Sequence, residues 1–190
     1  MKRLIPLFIL VLATVGACGG GDSSSNGETT PSTPVESTAQ AVTGTVMTST
    51  NGAVQITVPD DWDAMTDLND VAIIQSANLV KEQYIIVIDD TKEDFAEPDL
   101  GEYSDITSQL IIDGLNGSEV GPSTPLTING NAALQKEIRG SIDNINVVYI
   151  HTSVETPTHF YQVLTWTLKS QFDKNRSVLQ EVTNSFREAG

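Results

Sequence analysis

Carboxylates are the residues of this chain whose density suggests chemistry. From Asp89 to Asp105 the sequence holds eight acids against a single base, Lys92. Crowded carboxylates on a loop can supply the about six to eight oxygens that calcium takes, and they also attract basic proteins. The candidate residues for binding a cation or a basic partner are Asp89, Asp90, Glu93, Asp94, Glu97 and Asp99.

Three interpretations of this acidic stretch stay open. The spacing departs from the EF-hand calcium loop, because counting from Asp89 puts Asp94 where that loop needs glycine. The charges could instead form a solvated loop, in which Asp99 and Glu102 favour the positive end of a helix that starts there. They could also form an acidic docking face for a basic protein, and we favour docking over calcium.

The sequence contains none of the common catalytic motifs. It has no Gly-x-Ser-x-Gly elbow, no Ser-x-x-Lys with partner motifs and no Gly-x-Gly-x-x-Gly. In a predicted hairpin whose paired residue numbers sum to about 313, His151 faces Gln162 and His159 faces Val154. The two histidines then lie on opposite faces of the sheet and cannot share a metal ion. We expect a protein without catalytic residues, and a hydrolase assembled from distant residues is the alternative.

Cys18 is the only cysteine of the chain, and the segment before it has a particular composition. Lys2-Arg3 is basic, and the apolar run Leu4–Val15 is shorter than the roughly 20 residues that span a bilayer. Val15-Gly16-Ala17-Cys18 resembles the lipobox of bacterial lipoproteins. The resemblance implies cleavage after Ala17, a thioether-linked diacylglycerol on Cys18 and acylation of its new amine.

Lipidation of Cys18 would anchor the protein to a membrane. Each buried methylene contributes about 0.8 kcal/mol, so two or three acyl chains exceed what stable anchoring requires. We therefore expect an exported, lipid-anchored protein of the bacterial cell membrane or the outer membrane. With its one cysteine acylated the chain forms no internal disulfide, and its domain must rest on a hydrophobic core.

The net charge argues against nucleic acid as a partner. The chain carries a formal charge of −15, and removing residues 1–17, which hold two bases and no acid, brings it to −17. Nucleic acid requires a basic footprint, which this surface lacks. The expected partners are the membrane, through the lipid anchor, and a protein of the cell envelope.

Composition divides the chain into three parts. Residues 1–17 are the predicted lipoprotein signal peptide. Residues 18–50, which begin with the lipidated cysteine, are rich in Gly, Ser, Thr and Pro, and they hold too few apolar residues to offset the entropy of ordering. We expect this segment to be a disordered linker. Residues 51–190 are the predicted folded domain.

Apolar periodicity in the domain predicts three strands, a helix, four strands and a final helix. Asn129-Gly130 and residues 155–158 mark the turns of two hairpins. Antiparallel hairpins with separated helices make the domain α+β. The predicted strands cover residues 54–58, 71–79, 84–88, 126–128, 132–140, 144–154 and 158–168.

Two helices are expected to pack on this sheet. Asp99 is the predicted N-cap of the first helix, and Asn116-Gly117 is its predicted end. The second helix should begin at Ser170-Asp173. The predicted apolar stripes are Tyr103, Ile106, Leu110 and Ile111 on the first helix, and Phe172, Val178, Leu179, Val182 and Phe186 on the second.

The two tryptophans are both expected to be buried. Trp62 should fold against the sheet edge, although a partner-facing position is the alternative. Trp166 and Phe186 should lie in the core between the sheet and the final helix.

Several stretches resemble the PsbP-like family. They are Val54–Trp62, the hairpin Ile128–Ala132, and the C-terminal stretches Phe160–Val163, Trp166-Thr167 and Ser185–Glu188. Asp61 stands where that pattern usually has glycine. The resemblance implies an α/β/α sandwich around a mostly antiparallel sheet, and a role in binding or assembly rather than catalysis. We therefore expect a non-enzymatic accessory module of the cell envelope. The alternatives are a calcium-dependent binding module and a hydrolase without a recognisable motif.

Replacing the lipidated residue tests the anchor. Cys18→Ser removes the thiol that carries the thioether lipid, so the variant should lose its membrane association. Fractionating cells that express either protein measures how much of each sediments with the membranes. A variant that sediments as fully as the wild type would contradict the lipid anchor.

Overall fold

The computed structural model describes residues 43–95 and 99–189 together with the short strand Val35–Glu36. The predicted signal peptide, the cleavage site after Ala17, Cys18 and most of the predicted linker lie outside the described residues, as does Glu97. Within the described part, none of the helices has both the length and the apolar character needed to cross a membrane.

The described elements alternate between hairpins and two helices. The helices are α1 (Leu100–Asp113) and α2 (Phe172–Asn184), and single 3-10 turns cover Lys92–Asp94 and Lys169–Gln171. The strands are β1 (Val35–Glu36), β2 (Thr45–Thr48), β3 (Val54–Val58), β4 (Asp63–Ala64), β5 (Ile74–Asn78), β6 (Gln83–Thr91), β7 (Asn116–Val120), β8 (Thr124–Ile128), β9 (Asn131–Ile142), β10 (Ile145–Glu155), β11 (His159–Leu168) and β12 (Arg187–Glu188).

Among the described residues the strands form one large sheet and one small one. The large sheet has the order β1-β8-β9-β10-β11-β6-β5-β4, and β7 pairs with β9 as well. The small sheet has the order β12-β3-β2. Every described pairing is antiparallel except that of β1 with β8. The predicted α+β class is therefore confirmed.

The central strands are buried on both faces, which is why the domain has two cores. On β6, Ile85 and Val87 pack in a cluster with α2 and the small sheet. Ile86 and Ile88 point to the opposite face and pack in a cluster with Ile111 of α1. Successive strand residues alternate between faces, so a continuous apolar run requires a cover on each side. The two helices supply those covers, and the result is the expected α/β/α sandwich.

The Asn129-Gly130 turn forms as predicted. Asn129 has a φ of +48° and Gly130 a φ of +87°, the positive angles that a two-residue hairpin turn needs at both central positions. Ile128 and Asn131 close the hairpin as a pair. The side-chain amide of Asn129 also donates to the Phe186 carbonyl at 2.6 Å, which ties this turn to the end of the chain.

The hairpin of β10 and β11 forms with a register two residues away from the predicted one. His151 lies opposite Leu164, not opposite Gln162. The reason is the turn, where the backbone N–H of Thr156 donates to the His159 carbonyl at 2.9 Å and closes the loop one residue later on each strand. A shift by two preserves the face of every side chain, so His151 and His159 do lie on opposite faces.

The helix ends differ from the predicted ones in two places. Asp99 caps α1 as expected, with its carboxylate accepting from the Glu102 backbone N–H at 2.7 Å. The helix ends earlier than predicted, because the Gly114 N–H bonds back to the Ile111 carbonyl, and Asn116-Gly117 begins β7 instead. Ser170 lies in the 3-10 turn before α2, which begins at Phe172 without a side-chain cap.

The ordered domain begins before residue 51, so the predicted linker 18–50 is too long at its C-terminal end. Thr45–Thr48 pairs antiparallel with residues 55–58 of β3. The short strand is ordered by this pairing and by Met47, which packs against the core. Gly44 makes the approach possible, since a Cβ there would lie 2.0 Å from the Val58 carbonyl oxygen.

The two tryptophans lie on opposite faces of the large sheet. Trp62 is buried on the α2 face, as expected of a residue folded against the sheet, and its indole N–H donates to Gln83 at 3.2 Å. Phe186 is buried on the same face. The placement of Trp166 on that face was wrong. It packs on the α1 face, stacked on Tyr84 with ring centroids 5.1 Å apart, because β11 alternates between the two faces.

Truncating Trp166 should destabilise the domain strongly. The side chain is 2% exposed and contacts the rings of Tyr84 and Tyr149, so Trp166→Ala should reduce the free energy of unfolding by ~3–5 kcal/mol. Urea titration measures that loss. Val80→Ala at a 94% exposed position is the control and should change little. An unfolding midpoint unchanged by Trp166→Ala would contradict this packing.

Candidate functional site

Helix α1 buries polar side chains and exposes apolar ones. Ser104, Thr107 and Ser108 are at most 5% exposed and face the sheet. Ile106 and Leu110 are 47% and 51% exposed. A surface helix normally shows the opposite arrangement. The predicted apolar stripe of this helix is therefore half wrong: Tyr103 and Ile111 are buried, whereas Ile106 and Leu110 face solvent.

A buried histidine anchors the inner face of α1. The Thr107 hydroxyl lies 2.8 Å from the Tyr103 carbonyl and 3.1 Å from Nε2 of His151. The hydroxyl has one proton and donates it to the carbonyl, so it must accept from Nε2–H. The Nδ1 atom of His151 then holds a lone pair, and it has no hydrogen-bond partner among the described residues.

Burial keeps this histidine neutral. His151 is 0% exposed, and desolvation, assisted by the positive charge of Lys136, lowers its pKa to about 3. The Lys136 ammonium lies 3.1 Å from the Ser108 hydroxyl and 2.6 Å from Asp105. The Lys136 side chain is 9% exposed and that of Asp105 is 78% exposed. The ion pair therefore joins the interior to the outer surface of α1.

Unpaired polar atoms concentrate on the α1 face of the sheet. Six buried side-chain polar atoms in the described residues have no hydrogen-bond partner. Leaving such an atom unpaired costs about 1–3 kcal/mol, and native proteins hold few of them. Five belong to α1 or to strand positions that face it, namely Ser104 Oγ, Tyr149 Oη, His151 Nδ1, Ser153 Oγ and Trp166 Nε1. This face thus carries polarity that packing alone does not require.

A cavity of about 70 Å³ lies between α1, the sheet and the loop that carries Asn69. It is partly open to solvent, and the half-exposed Leu110 is part of its wall. Most of its lining is aliphatic, with polar groups from three residues. The lining residues are Ile86, Ile88, Leu110, Ile111 and Leu164, with Asn69, Thr107 and Gln162.

A second, wider groove offers less chemistry. It measures about 250 Å³ and is lined by residues of β7 and β9, including Glu137 and Arg139. Glu137 and Arg139 in its wall are already paired, since Glu137 lies 3.1 Å from Arg139 and 2.8 Å from Arg176. The cavity beside α1 is the better candidate site.

The structure does not bring the predicted acidic residues together. Asp89 and Asp90 are neighbours on β6 and point to opposite faces. Asp89 accepts from Asn51 at 2.9 Å, whereas Asp90 accepts from the Tyr103 hydroxyl of α1 at 2.7 Å. Burial and the charge of Asp90 raise the pKa of Tyr103, so that hydroxyl stays protonated and donates.

The remaining acidic candidates are spread along the loop and the helix start. Glu93 and Asp94 are exposed in the 3-10 turn, and Asp99 is the cap of α1. Within residues 43–95 and 99–189, no three His, Cys, Asp or Glu side chains are grouped so that they could hold a metal ion. The described residues therefore give the calcium alternative no geometric support.

Negative charge is concentrated in the half of the domain that carries α1. Residues 60–113 hold fifteen acids and two bases, whereas residues 114–190 hold seven acids and six bases. On α1 itself the exposed acids are Glu102, Asp105 and Asp113, and the helix contains no base. The apolar pair Ile106 and Leu110 is thus set among carboxylates.

Comparisons with known proteins agree on the architecture. No family model matches the sequence, and no curated protein matches it. The solution structure of cyanobacterial PsbP from Synechocystis aligns with a TM-score of 0.56 at 13% identity, covering 76% of this chain and 91% of that one. LpqN of Mycobacterium tuberculosis, described as involved in cell envelope biogenesis, aligns with a TM-score of 0.57 at 15% identity, covering 83% and 90%. The fold is Mog1/PsbP-like.

The yeast Ran-binding protein Mog1p shares this fold, with a TM-score of 0.52 at 14% identity over 77% of this chain and 96% of that one. The predicted PsbP-like architecture is therefore confirmed. At identities this low, the Mog1/PsbP-like likeness concerns the fold and not the activity.

The sequence carried a signal for the polar face of α1 that the prediction did not use. Ser104, Thr107, Ser108 and Ile111 have the same three- and four-residue spacing as the apolar stripe, and the two stripes share Ile111. Lys136 and His151 come from β9 and β10, and only the strand register brings them under this helix.

The neutral state of His151 predicts a pH dependence of stability. The folded pKa of about 3 lies below the ordinary 6.5, so between these values the unfolded chain binds a proton that the folded chain does not. Stability should be unaffected by this group above pH 6.5 and should fall by about 1.4 kcal/mol per pH unit below it. Denaturant titrations between pH 7 and pH 5 measure the slope.

His151→Gln should flatten this slope, because the titrating group is gone. Thr107→Val is the matched control, since it removes the hydroxyl but keeps the imidazole, and it should retain the slope of the wild type. Equal slopes in wild type and His151→Gln would contradict a buried, neutral histidine.

Proposed function

We propose that this protein is an exported, lipid-anchored binding module of the bacterial cell envelope, which holds a protein partner and acts without catalysis. The observation that carries the proposal is the orientation of α1, which exposes Ile106 and Leu110 while it buries Ser104, Thr107 and Ser108. Exposed apolar side chains beside a cavity are typical of interaction surfaces.

The geometry of the titratable groups supports binding over catalysis. His151 is 0% exposed and its Nε2 bonds to Thr107, so the imidazole does not reach a substrate. Lys136 is held between Asp105 and Ser108. The carboxylates Asp89 and Asp90 face away from each other, which is unlike the paired carboxylates of acid–base catalysis.

The position in the envelope is proposed from the N-terminal sequence. The stretch Val15–Cys18 follows an apolar segment and resembles a lipobox, which supports export and a lipid anchor at Cys18. Among the structural relatives, LpqN is described as involved in cell envelope biogenesis and Mog1p as a Ran-binding protein. Both descriptions concern other proteins with a Mog1/PsbP-like fold, and they support a binding role here by analogy.

Crosslinking in living cells tests this function. The native lipoprotein is crosslinked, purified with its adducts and analysed by mass spectrometry, with Cys18→Ser as the control that should leave the membrane. We expect one dominant envelope protein among the adducts of the wild type. Correct anchoring without a stoichiometric protein partner would contradict the proposal, and turnover of a substrate from a panel would then favour the hydrolase.

A further inference from the structure

We propose that the outer face of α1 docks a basic segment of the partner protein and that an aliphatic side chain of that segment enters the cavity beside Leu110. This inference rests on the proposed function and specifies the chemistry of the partner. We call the docking region the α1 surface and define it by Ile106, Leu110 and Val71 with the surrounding acids Glu102, Asp105, Asp113, Asp67 and Asp70.

The apolar part of the α1 surface is continuous with the cavity. Ile106 and Leu110 are four residues apart and share one stripe of the helix. Leu110 lines the cavity, and so does Asn69 across from it. The side-chain carbonyl of Asn69 accepts from the Val71 backbone N–H at 2.9 Å, and Val71 is 44% exposed. The helix therefore places an exposed apolar side chain at the cavity, and the loop carries another, Val71, two residues after the lining residue Asn69.

The size of the cavity favours a side chain over a small-molecule ligand. Sites for drug-sized ligands measure about 300–1,000 Å³, and a cavity of about 150 Å³ holds benzene. A volume of about 70 Å³ accommodates one small aliphatic group. Such a group binds firmly only when the molecule that carries it makes further contacts, and the exposed Ile106 and Leu110 offer them.

The charge around the apolar residues favours a basic partner. Glu102 and Asp113 are exposed on α1 beside Asp105, which already pairs with Lys136. Asp67 and Asp70 are exposed in the loop on either side of Asn69. Complementary charge speeds association and selects among partners. Asp113 lies in the last turn of α1, where a carboxylate meets the negative end of the helix dipole. A cation on the partner would relieve that repulsion.

The same charge argues against two other occupants. Anionic lipid surfaces attract basic segments, whereas the α1 surface is acidic and would be repelled by them. A second copy of the chain would bring like charges together, because each copy without residues 1–17 has a net formal charge of −17. A basic segment of a different protein is the occupant that satisfies both the apolar and the charged parts of the surface.

Defined peptides test the α1 surface on the full-length lipoprotein in detergent. The probe is a labelled amphipathic peptide of leucine and lysine, and its counterpart contains glutamate in place of lysine. Fluorescence anisotropy measures both affinities at low and moderate salt. We expect the lysine peptide to bind, to weaken with salt, and to exceed the glutamate peptide by at least tenfold. Equal binding of both peptides would overturn the proposal.

Variants separate this surface from the general acidity of the protein. Ile106→Ser with Leu110→Ser should weaken the lysine peptide at least tenfold, whereas Val46→Ser with Val80→Ser, at apolar positions exposed elsewhere, should not. Glu102→Gln with Asp113→Asn should weaken binding more than the equal charge change Glu119→Gln with Asp143→Asn. If Ile106→Ser with Leu110→Ser binds the lysine peptide as tightly as the wild type and keeps its melting temperature, the proposal is overturned.

Three further outcomes would contradict docking of a basic segment, and they differ in what they imply for the binding function. Binding of anionic vesicles, or dimerisation, that is lost with Ile106→Ser and Leu110→Ser would replace the basic segment by a membrane or a second copy. A cellular partner that crosslinks as strongly to this double variant as to the wild type would refute docking here and keep the binding function. The absence of a cellular partner of the wild type would refute the binding function itself.

Discussion

The candidate site depends on the orientation of α1 about its own axis, which decides which side chains face the sheet. Three directional contacts fix it: the Tyr103 hydroxyl donates to Asp90, Thr107 accepts from His151, and Lys136 bonds to Ser108. A hydrogen bond between neutral groups contributes about 0.5–1.5 kcal/mol net and one to a charged group about 1.5–3 kcal/mol, and leaving a buried partner unpaired costs about 1–3 kcal/mol. Turning the helix to bury Ile106 and Leu110 would break these contacts. The apolar pair is therefore exposed as a consequence of the polar layer beneath the helix.

The two helices cover the two faces of the large sheet with different kinds of side chain. Helix α2 covers its face with Phe172, Leu179 and Val182, all nearly inaccessible to solvent, which is the usual amphipathic solution. Helix α1 covers the other face with hydroxyls over a histidine and a lysine. Sequences that break the ordinary rule at one element generally do so at functional sites. We therefore propose a structural role for the α2 face and a binding role for the α1 face.

The parts of the fold that the sequence predicted correctly are those with strong local signals. The turn at Asn129-Gly130 has positive φ angles, which few residues other than asparagine and glycine adopt. At the start of α1 the Glu102 backbone N–H has no partner within the helix, and the Asp99 carboxylate accepts from it. The parts that it missed lack a strong local signal and depend on the strand with which they pair. The strand Thr45–Thr48 has few apolar residues and is ordered by pairing with Val54–Val58.

The site was predicted less well than the fold, for similar reasons. The eight acids between Asp89 and Asp105 are close in sequence, but strand alternation sends Asp89 and Asp90 to opposite faces and the helix start uses Asp99 as a cap. To predict the face of Trp166, one must know which residues of β11 point to which side of the sheet. To predict which side of α1 faces the sheet, one must know that Lys136 and His151 of other strands lie beneath it. Local patterns fix neither of these.

Site-specific photo-crosslinking in cells tests the central claim most directly. A photoreactive residue at Gln109, which is exposed on α1 between Ile106 and Leu110, is compared with one at Thr45 on the small sheet. The account predicts one dominant protein adduct from position 109, which is lost when Leu110→Ser is added, and none from position 45. An adduct from position 45 with none from position 109, in a correctly anchored protein, would contradict it.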